Sequence, residues 1–342
     1  MAVFASSPET FLVEEIPAYP PVGEGPHTFL WIEKQGLTTV EAIKRLARAL
    51  GVADRDIGYA GMKDRHATTR QWVSVPAVDP AVALAAEIPG CRVLEARRHG
   101  NKLRTGHLRG NRFEVVLTEV GEEGALLCER FLALGRDGLP NTYGAQRFGA
   151  AGDNVRAGLE LLRGQRRERD FRRRKLLLSA VQSEVFNRAL HRRAAGGLLK
   201  VRAGDVLQKT GSGGLFVTED PARDQARVDA GEVVPTGPMP GSREVEPPEG
   251  SEAWQLESEA LAEVGVTRAE LAAVGRDLPG ARRPVLVKVT LGEPPVDQEP
   301  GRLRLRFALP AGSYATVVLQ ALAQDPSPAG DHVLTFRVPT GS

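Results

Sequence analysis

Phe11–Ile16 and His27–Ile32 read as two strands, joined by a turn that holds Pro17, Pro20, Pro21, Gly23 and Gly25. The period then changes. From Thr38 to Leu50 the apolar residues Val40, Ile43, Leu46, Ala47 and Leu50 fall on one helical stripe, Thr38 and Glu41 form a capping box, and Gly51 supplies the stop. Strict alternation returns after Thr68, with Thr69, Gln71, Val73 and Val75 on one face and Arg70, Trp72 and Ser74 on the other. Cys91–Arg98 and Arg112–Val120 add two more strands. Leu126, Leu127, Arg130, Phe131 and Leu134 mark a helix that ends at Gly135 or Gly138. The order β-β-α-β-β-β-α predicts a mixed α/β (α+β) layer rather than alternating βαβ units.

Leu139–Gly149 breaks this rhythm with Pro140, Asn141, two glycines and two aromatics, and helices follow at Asp153–Leu162 and Arg172–Ala195. A hairpin is expected across Asp205–Val217, then two short helices, then Thr267–Val274 with a second capping box at Thr267 and Glu270. Strands resume at Val285–Leu291 and Leu303–Leu309, and Gly312–Ala323 closes as a helix. The pattern predicts a mainly helical domain (139–283) inserted into an α/β core made of 1–138 and 284–342.

Charge changes the picture more than composition does. The net charge of the 342 residues is only +2, but Arg92–Arg112 holds seven Arg or Lys and two His against Glu95. Arg163–Lys175 holds eight cations against Glu168 and Asp170, whereas Glu219–Glu263 holds twelve carboxylates and three Arg. Local basic surface is what recognises a polyanion. No apolar run is long enough to span a bilayer and the N-terminus lacks the make-up of a signal peptide, so a cytoplasmic protein with no membrane partner is expected. Cys91 and Cys128 offer neither a disulfide framework nor metal-ligand spacing. The histidines (His27, His66, His99, His107, His191 and His332) fit no metal motif, and no GxGxxG, phosphate-loop or GxSxG signature occurs. The expected chemistry therefore uses neither metal nor nucleotide cofactor.

A carboxylate near basic surface remains. Gly58–Val75 (GYAGMKDRHATTRQWVSV) sets Asp64 between Lys63 and Arg65 at the end of a glycine-loosened loop that runs into a strand. For a single Lys-Asp-Arg triplet a neutralised loop aspartate is the commoner case; the catalytic reading makes Asp64 a nucleophile or general base. Phe113 shares a face with Val115 and Leu117 and so reads first as core, or else as a platform on which an extruded base stacks. Asn111, just before that strand, is a turn residue unless its amide meets a pyrimidine edge.

AGMKDRHATTRQW at 60–72 closely resembles the signature of the TruD family of tRNA pseudouridine synthases. Pro8-Glu9-Thr10-Phe11 with Glu14 resembles that family's PEDFxVxE stretch, and Gly110-Asn111-Arg112-Phe113 its GNxF motif. Asn141–Gly149 is similar to NxFGxQRFG, Leu178–Asn187 to LSAxxSxxFN, and LPAGSYAT at 309–316 to LPAGSFAT. These matches follow family order along nearly the whole chain. The resemblance implies an RNA pseudouridine synthase that isomerises uridine 13 of tRNA without a cofactor. It also implies a mixed, largely antiparallel-sheet synthase core interrupted by a mainly helical TruD insertion, with the active cleft between them. Asp64 would be catalytic, Phe113 would stack on the uracil, and Asn111, Lys63 and Arg65 would line the substrate site. Arg70, Arg98, Lys102, Arg104, Arg147 and Arg173 are the expected RNA contacts. One departure stands out: the basic residue that the family tends to carry just before PEDF is replaced by Ala5-Ser6-Ser7. Two rivals make different predictions. A non-catalytic RNA-binding descendant would leave no pseudouridine, and a metal-dependent phosphoesterase using Asp64, His66 and nearby carboxylates would cut RNA.

Overall fold

The computed structural model describes residues 2–144, 147–149 and 152–323, except for the side chains of 296–298. His332, and Gln146 of the NxFGxQRFG-like stretch, lie outside the described residues, as does the part of the expected C-terminal core segment beyond Ala323. The chain divides into two compact units. One is formed by the chain up to Leu139 and again from Lys288, the other by Pro140–Val287.

In the first unit, strands β1 (Phe11–Pro17), β2 (His27–Lys34), β3 (Gly58–Tyr59), β4 (Thr68–Pro76), β5 (Cys91–His99) and β6 (Leu108–Leu117) are joined through helices α1 (Thr39–Leu50) and α2 (Pro80–Leu84), and helix α3 (Gly124–Asp137) follows. The two-residue β7 (Leu139–Pro140) marks the boundary. The second unit holds α4 (Asp153–Leu162), α5 (Phe171–Ala194), β8 (Val206–Lys209), β9 (Leu215–Val217), α6 (Pro221–Asp229), β10 (Val233–Met239), α7 (Glu252–Val264), α8 (Arg268–Ala273), β11 (Ala281–Pro284) and β12 (Leu286–Val287). The chain then returns with β13 (Thr290–Leu291), β14 (Val296–Glu299), β15 (Arg302–Pro310) and α9 (Ala315–Ala323).

The main sheet runs β13-β15-β6-β1-β4-β2-β5, with β14 on β15 and β3 on β4. Among the described residues its pairs are antiparallel except β1–β4. Register ties the faces together: Phe113 sits opposite Val13 and Phe307, Thr69 opposite Val13 and Lys34, and Asn111 opposite Glu15 and Leu309. One face therefore carries Glu15, Lys34, Thr69, Gln71, Asn111 and Phe113. Helix α1 packs Ala42, Ile43, Leu46 and Ala47 onto that face against Leu30, Ile32, Val73 and Val75. Both halves of its capping box form, and Gly51 ends it in the left-handed conformation at φ +66°. Helix α3 covers the other end of the face, with Phe131 edge-on to Phe307.

The second unit departs from its sequence pattern in a pair of strands, β10 and β11. Between the two helices expected after Val217 runs a strand, β10, at the centre of a sheet ordered β11-β10-β8-β9. Pro235 and Pro238 hide it from a sequence reading, since proline removes a ladder donor. Here β10 changes partner midway, pairing with β8 at Val233–Pro235 and with β11 at Thr236–Met239. Each proline thus stands where the paired register runs along one side of the strand only. Most carboxylates of the acidic run stay exposed, but Glu244 and Glu257 turn inward. Buried Glu257 and Glu244 accept from Arg282 at 2.6 and 3.1 Å, and Arg268 donates to Glu257 at 2.9 Å. Among the described residues no helix is long and apolar enough to cross a membrane.

Candidate active site

Asp64 lies in the loop between β3 and β4, exposed, with its carboxylate accepting the His66 backbone N–H at 2.8 Å. A chain of contacts ties this loop to the sheet, to the first residue of α1 and to the turn before it. The Lys63 N–H donates to Thr39 Oγ1 at 2.8 Å, and Thr39 Oγ1 donates to Gln71 Oε1 at 3.1 Å. The Gln71 amide donates to the Gly61 carbonyl at 3.1 Å, and Arg65 Nε to the Gly36 carbonyl at 3.2 Å. The cations flanking Asp64 in sequence do not flank its carboxylate. Lys63 turns inward and donates to Glu15 Oε2 at 2.9 Å, with both side chains almost fully buried. Burial raises the Glu15 carboxyl above the ordinary range, while Lys63 and the Trp72 N–H pull it back. Among the described residues no cation lies within ion-pair distance of the Asp64 carboxylate.

The GNRF-like motif meets this loop through the sheet. Asn111 is the register partner of Glu15, and its buried Oδ1 has no hydrogen-bond partner among the described residues. Thr69 Oγ1, on the same face, is likewise buried and unpaired. Buried polar atoms are seldom left so, and an amide oxygen in this state is prepared to accept from an incoming donor. Gly110 is required by packing: a Cβ there would stand 2.2 Å from the Leu309 carbonyl oxygen, at the start of the LPAGSYAT stretch. Four motifs far apart in sequence (the Pro8–Glu14 stretch, the Asp64 loop, 110–113 and 309–316) thus converge in the first unit. The other two meet each other in the second. Tyr143 N–H donates to Asn187 Oδ1 at 2.8 Å, the Asn187 amide to the Tyr143 carbonyl at 3.0 Å, and Arg147 Nε to Ser183 Oγ at 3.0 Å.

Phe113 is 7% exposed. Its ring stacks on Phe307 at 5.3 Å and Phe11 at 6.2 Å between centroids, so it belongs to the aromatic row of the core as its alternation requires. The cations expected to meet RNA divide into two groups. Arg70 is bonded to Glu14 and Glu33 at 2.8 Å each, Arg147 to Ser183, and Arg173 to Glu168 at 3.3 Å. Arg104 is exposed and Arg98 half-buried, and Lys102 donates to the Arg55 carbonyl at 2.8 Å, all three on or beside the β5–β6 loop.

Sequence reasoning missed Glu15, Thr39, Gln71 and Lys34. For Lys34 a signal existed: it continues the core-facing parity of Leu30 and Ile32, where a lysine is out of place. A shallow cavity of about 500 Å³ opens on the opposite face, lined by Glu14, Arg70, Glu114 and Arg306 among others. Arg70 pairs with Glu14 and Arg306 with Glu114, which leaves Arg112 as its one lining cation without an ion pair among the described residues, and neither Asp64 nor Asn111 reaches it. It is a poor host for a polyanion. No group of three or more His, Cys, Asp or Glu among the described residues is placed to hold a metal ion.

The family model described as tRNA pseudouridine synthase D (TruD) matches residues 2–169 and 170–322. The tRNA pseudouridine synthase D of Anaeromyxobacter dehalogenans is 45% identical over 328 residues, covering 93% of this chain and 92% of that one. The protein of that name from Thermus thermophilus is 42% identical over 320 residues, 92% of this chain and 86% of its own. A crystal structure titled as a TruD protein from Methanosarcina mazei superposes with a TM-score of 0.73 at 23% identity, covering 94% of this chain and 93% of that one, which bears on the fold.

Proposed function

This chain belongs to the TruD family of tRNA pseudouridine synthases, and from that membership we propose that it isomerises uridine 13 of tRNA, with Asp64 as the catalytic group and no cofactor. The observation that supports the reading is that the exposed Asp64 carboxylate stands on a loop anchored at several points to the same sheet that carries Asn111 and its unpaired amide oxygen. A rigid frame with one free carboxylate and one free acceptor suits a reaction that needs positioning more than it needs added reagents.

An A-form stem hides its base edges, so the target nucleotide must be unstacked and swung out, at a cost of a few kcal/mol. Cations of the β5–β6 loop, Arg98, Lys102 and Arg104 among them, hold the phosphates. Asn111 meets the uracil edge, its Oδ1 accepting the N3–H. Asp64 acts on the ribose or the base as the N1–C1′ bond breaks. The uracil turns, C5 bonds to C1′, the C5 proton leaves and N1 gains one. Product and substrate have the same composition, so no reagent is consumed. Pro140–Val287 is read as the family's insertion and the cell's tRNA-containing cytoplasm as the place of action.

Incubating unmodified tRNA transcript with the protein and mapping pseudouridine should give one modified site, position 13. Modification elsewhere would overturn the position, and cleaved RNA would overturn the reaction. Phe113 is proposed to contribute its ring edge to the pocket wall. Phe113→Leu keeps an apolar side chain in the core and should cost about 1.5 kcal/mol of stability or less. Loss of a base–aromatic contact worth about 1–3 kcal/mol would lower turnover at least about fivefold. Unchanged turnover would confine Phe113 to packing.

A further inference from the structure

Lys34 is an unusual occupant of the core. It is 1% exposed, and its ammonium donates to the carbonyls of Leu37 at 2.6 Å and Asp64 at 2.7 Å. Among the described residues no carboxylate lies within ion-pair distance of it. A buried charge with only neutral acceptors destabilises a fold, and methionine would fill the same space without that cost. The charge is held instead on the main chain of the very residue proposed to be catalytic.

We propose that Lys34 is a positioning residue for the reaction: its charged ammonium pins the Asp64 backbone and supplies the positive field in which the Asp64 carboxylate meets the uridine. This rests on the reading of Asp64 given above. The charged and titratable groups facing Lys34 are Asp64 and Lys63 from the loop, Glu41 from α1 and Cys91 from β5. Cys91 is its register partner, and burial pushes that thiol up to about 11, so it is neutral at physiological pH. Glu41 is held in the capping box by Thr38. Burial brings Lys34 down to about 8, against the attraction of Asp64.

The consequence is a split between activity and stability. Above about pH 8 the folded protein releases the Lys34 proton while the unfolded chain keeps it up to its ordinary value near 10.5. In that window the unfolded state binds more protons, so the Lys34 contribution to stability rises with pH. Activity should fall over the same range, and that fall cannot come from the titration of Lys34 unfolding the protein.

Single-turnover rates on tRNA, with KM measured alongside, from about pH 6 to 10 for the full chain, Lys34→Gln and Lys34→Met test this. Gln retains donors for the two carbonyls without the charge. It should turn over at least about tenfold more slowly at pH 7 with an unchanged KM for tRNA, and should lose the alkaline fall near pH 8. Met, which loses the donors as well, should be slower still. Wild-type rates in Lys34→Gln, or an alkaline fall that persists in it, would overturn the proposal; a persisting fall belongs to another group, such as N3 of the uridine. If Lys34→Met does not fold, Lys34→Gln alone decides. An active Asp64→Asn would remove the reading on which this rests, whereas an inactive Asp64→Asn with a wild-type-like Lys34→Gln would reject the Lys34 role only.

Discussion

Asp64→Asn should reduce pseudouridine formation by at least about 1000-fold, the scale on which positioned nucleophiles and general bases act. The substitution is nearly isosteric, and the side chain is exposed, so no core is disturbed. Asn can still accept the His66 N–H through its amide oxygen, which keeps the turn that follows Asp64. Since the loop is anchored by Lys63 and Arg65 main-chain and side-chain contacts rather than by the Asp64 carboxylate, tRNA affinity should stay within about twofold and thermal stability should not change. Tritium release from tRNA carrying 5-tritiated uridine measures the step directly. Turnover within about tenfold of wild type would return Asp64 to the status of an ordinary loop aspartate.

Lys63→Met should destabilise the first unit by about 3–5 kcal/mol, because it leaves Glu15 buried without its partner. Adding Glu15→Gln should recover most of that loss. The amide still accepts from the Trp72 N–H, which donates to Glu15 Oε1 at 3.3 Å, and brings no charge to desolvate. The deficit of the single variant also depends on pH. The Glu15 carboxyl is already raised by burial, and without Lys63 it rises further. The folded variant then holds a proton that the unfolded chain releases above the ordinary carboxylate range, so stability falls as pH rises and the deficit is smaller at pH 4 than at pH 7. Urea unfolding of the two single variants and the double variant gives the coupling. Strictly additive effects would mean that the pair contributes nothing and that Lys63 is free to serve the substrate instead.

Elements with a strong local period were legible in the sequence. Helix α1 announced its start and stop through Thr38, Glu41 and Gly51, though of its expected stripe Val40 is exposed while Ile43, Leu46 and Ala47 are buried. The faces of β4 and β6 follow from their alternation. The parity that puts Phe113 with Val115 and Leu117 correctly sends its ring into the core. Direction within a loop was not legible. Lys63 and Arg65 adjoin Asp64 in sequence, but a loop can send neighbouring side chains to opposite sides. The partner that draws Lys63 inward is Glu15, 48 positions earlier on a different strand. Nor could local pattern reveal β10, whose prolines are tolerated because it changes partner midway, or the inward turn of Glu244 and Glu257 onto buried Arg282. Lys34 was readable as a polar break in a core-facing strand, but its target, the carbonyl of Asp64, depends on the β2–β4 pairing.

Whether Asp64 meets a uridine drawn out of its helix is decided by a structure of the Asp64→Asn variant bound to full-length tRNA. An extruded uridine is expected with its C1′ or ring atoms within about 4 Å of the residue-64 side chain, near-attack distance allowing for the substitution, and with its edge on Asn111. A stacked, unflipped target, or an extruded nucleotide seated away from residue 64, would contradict it.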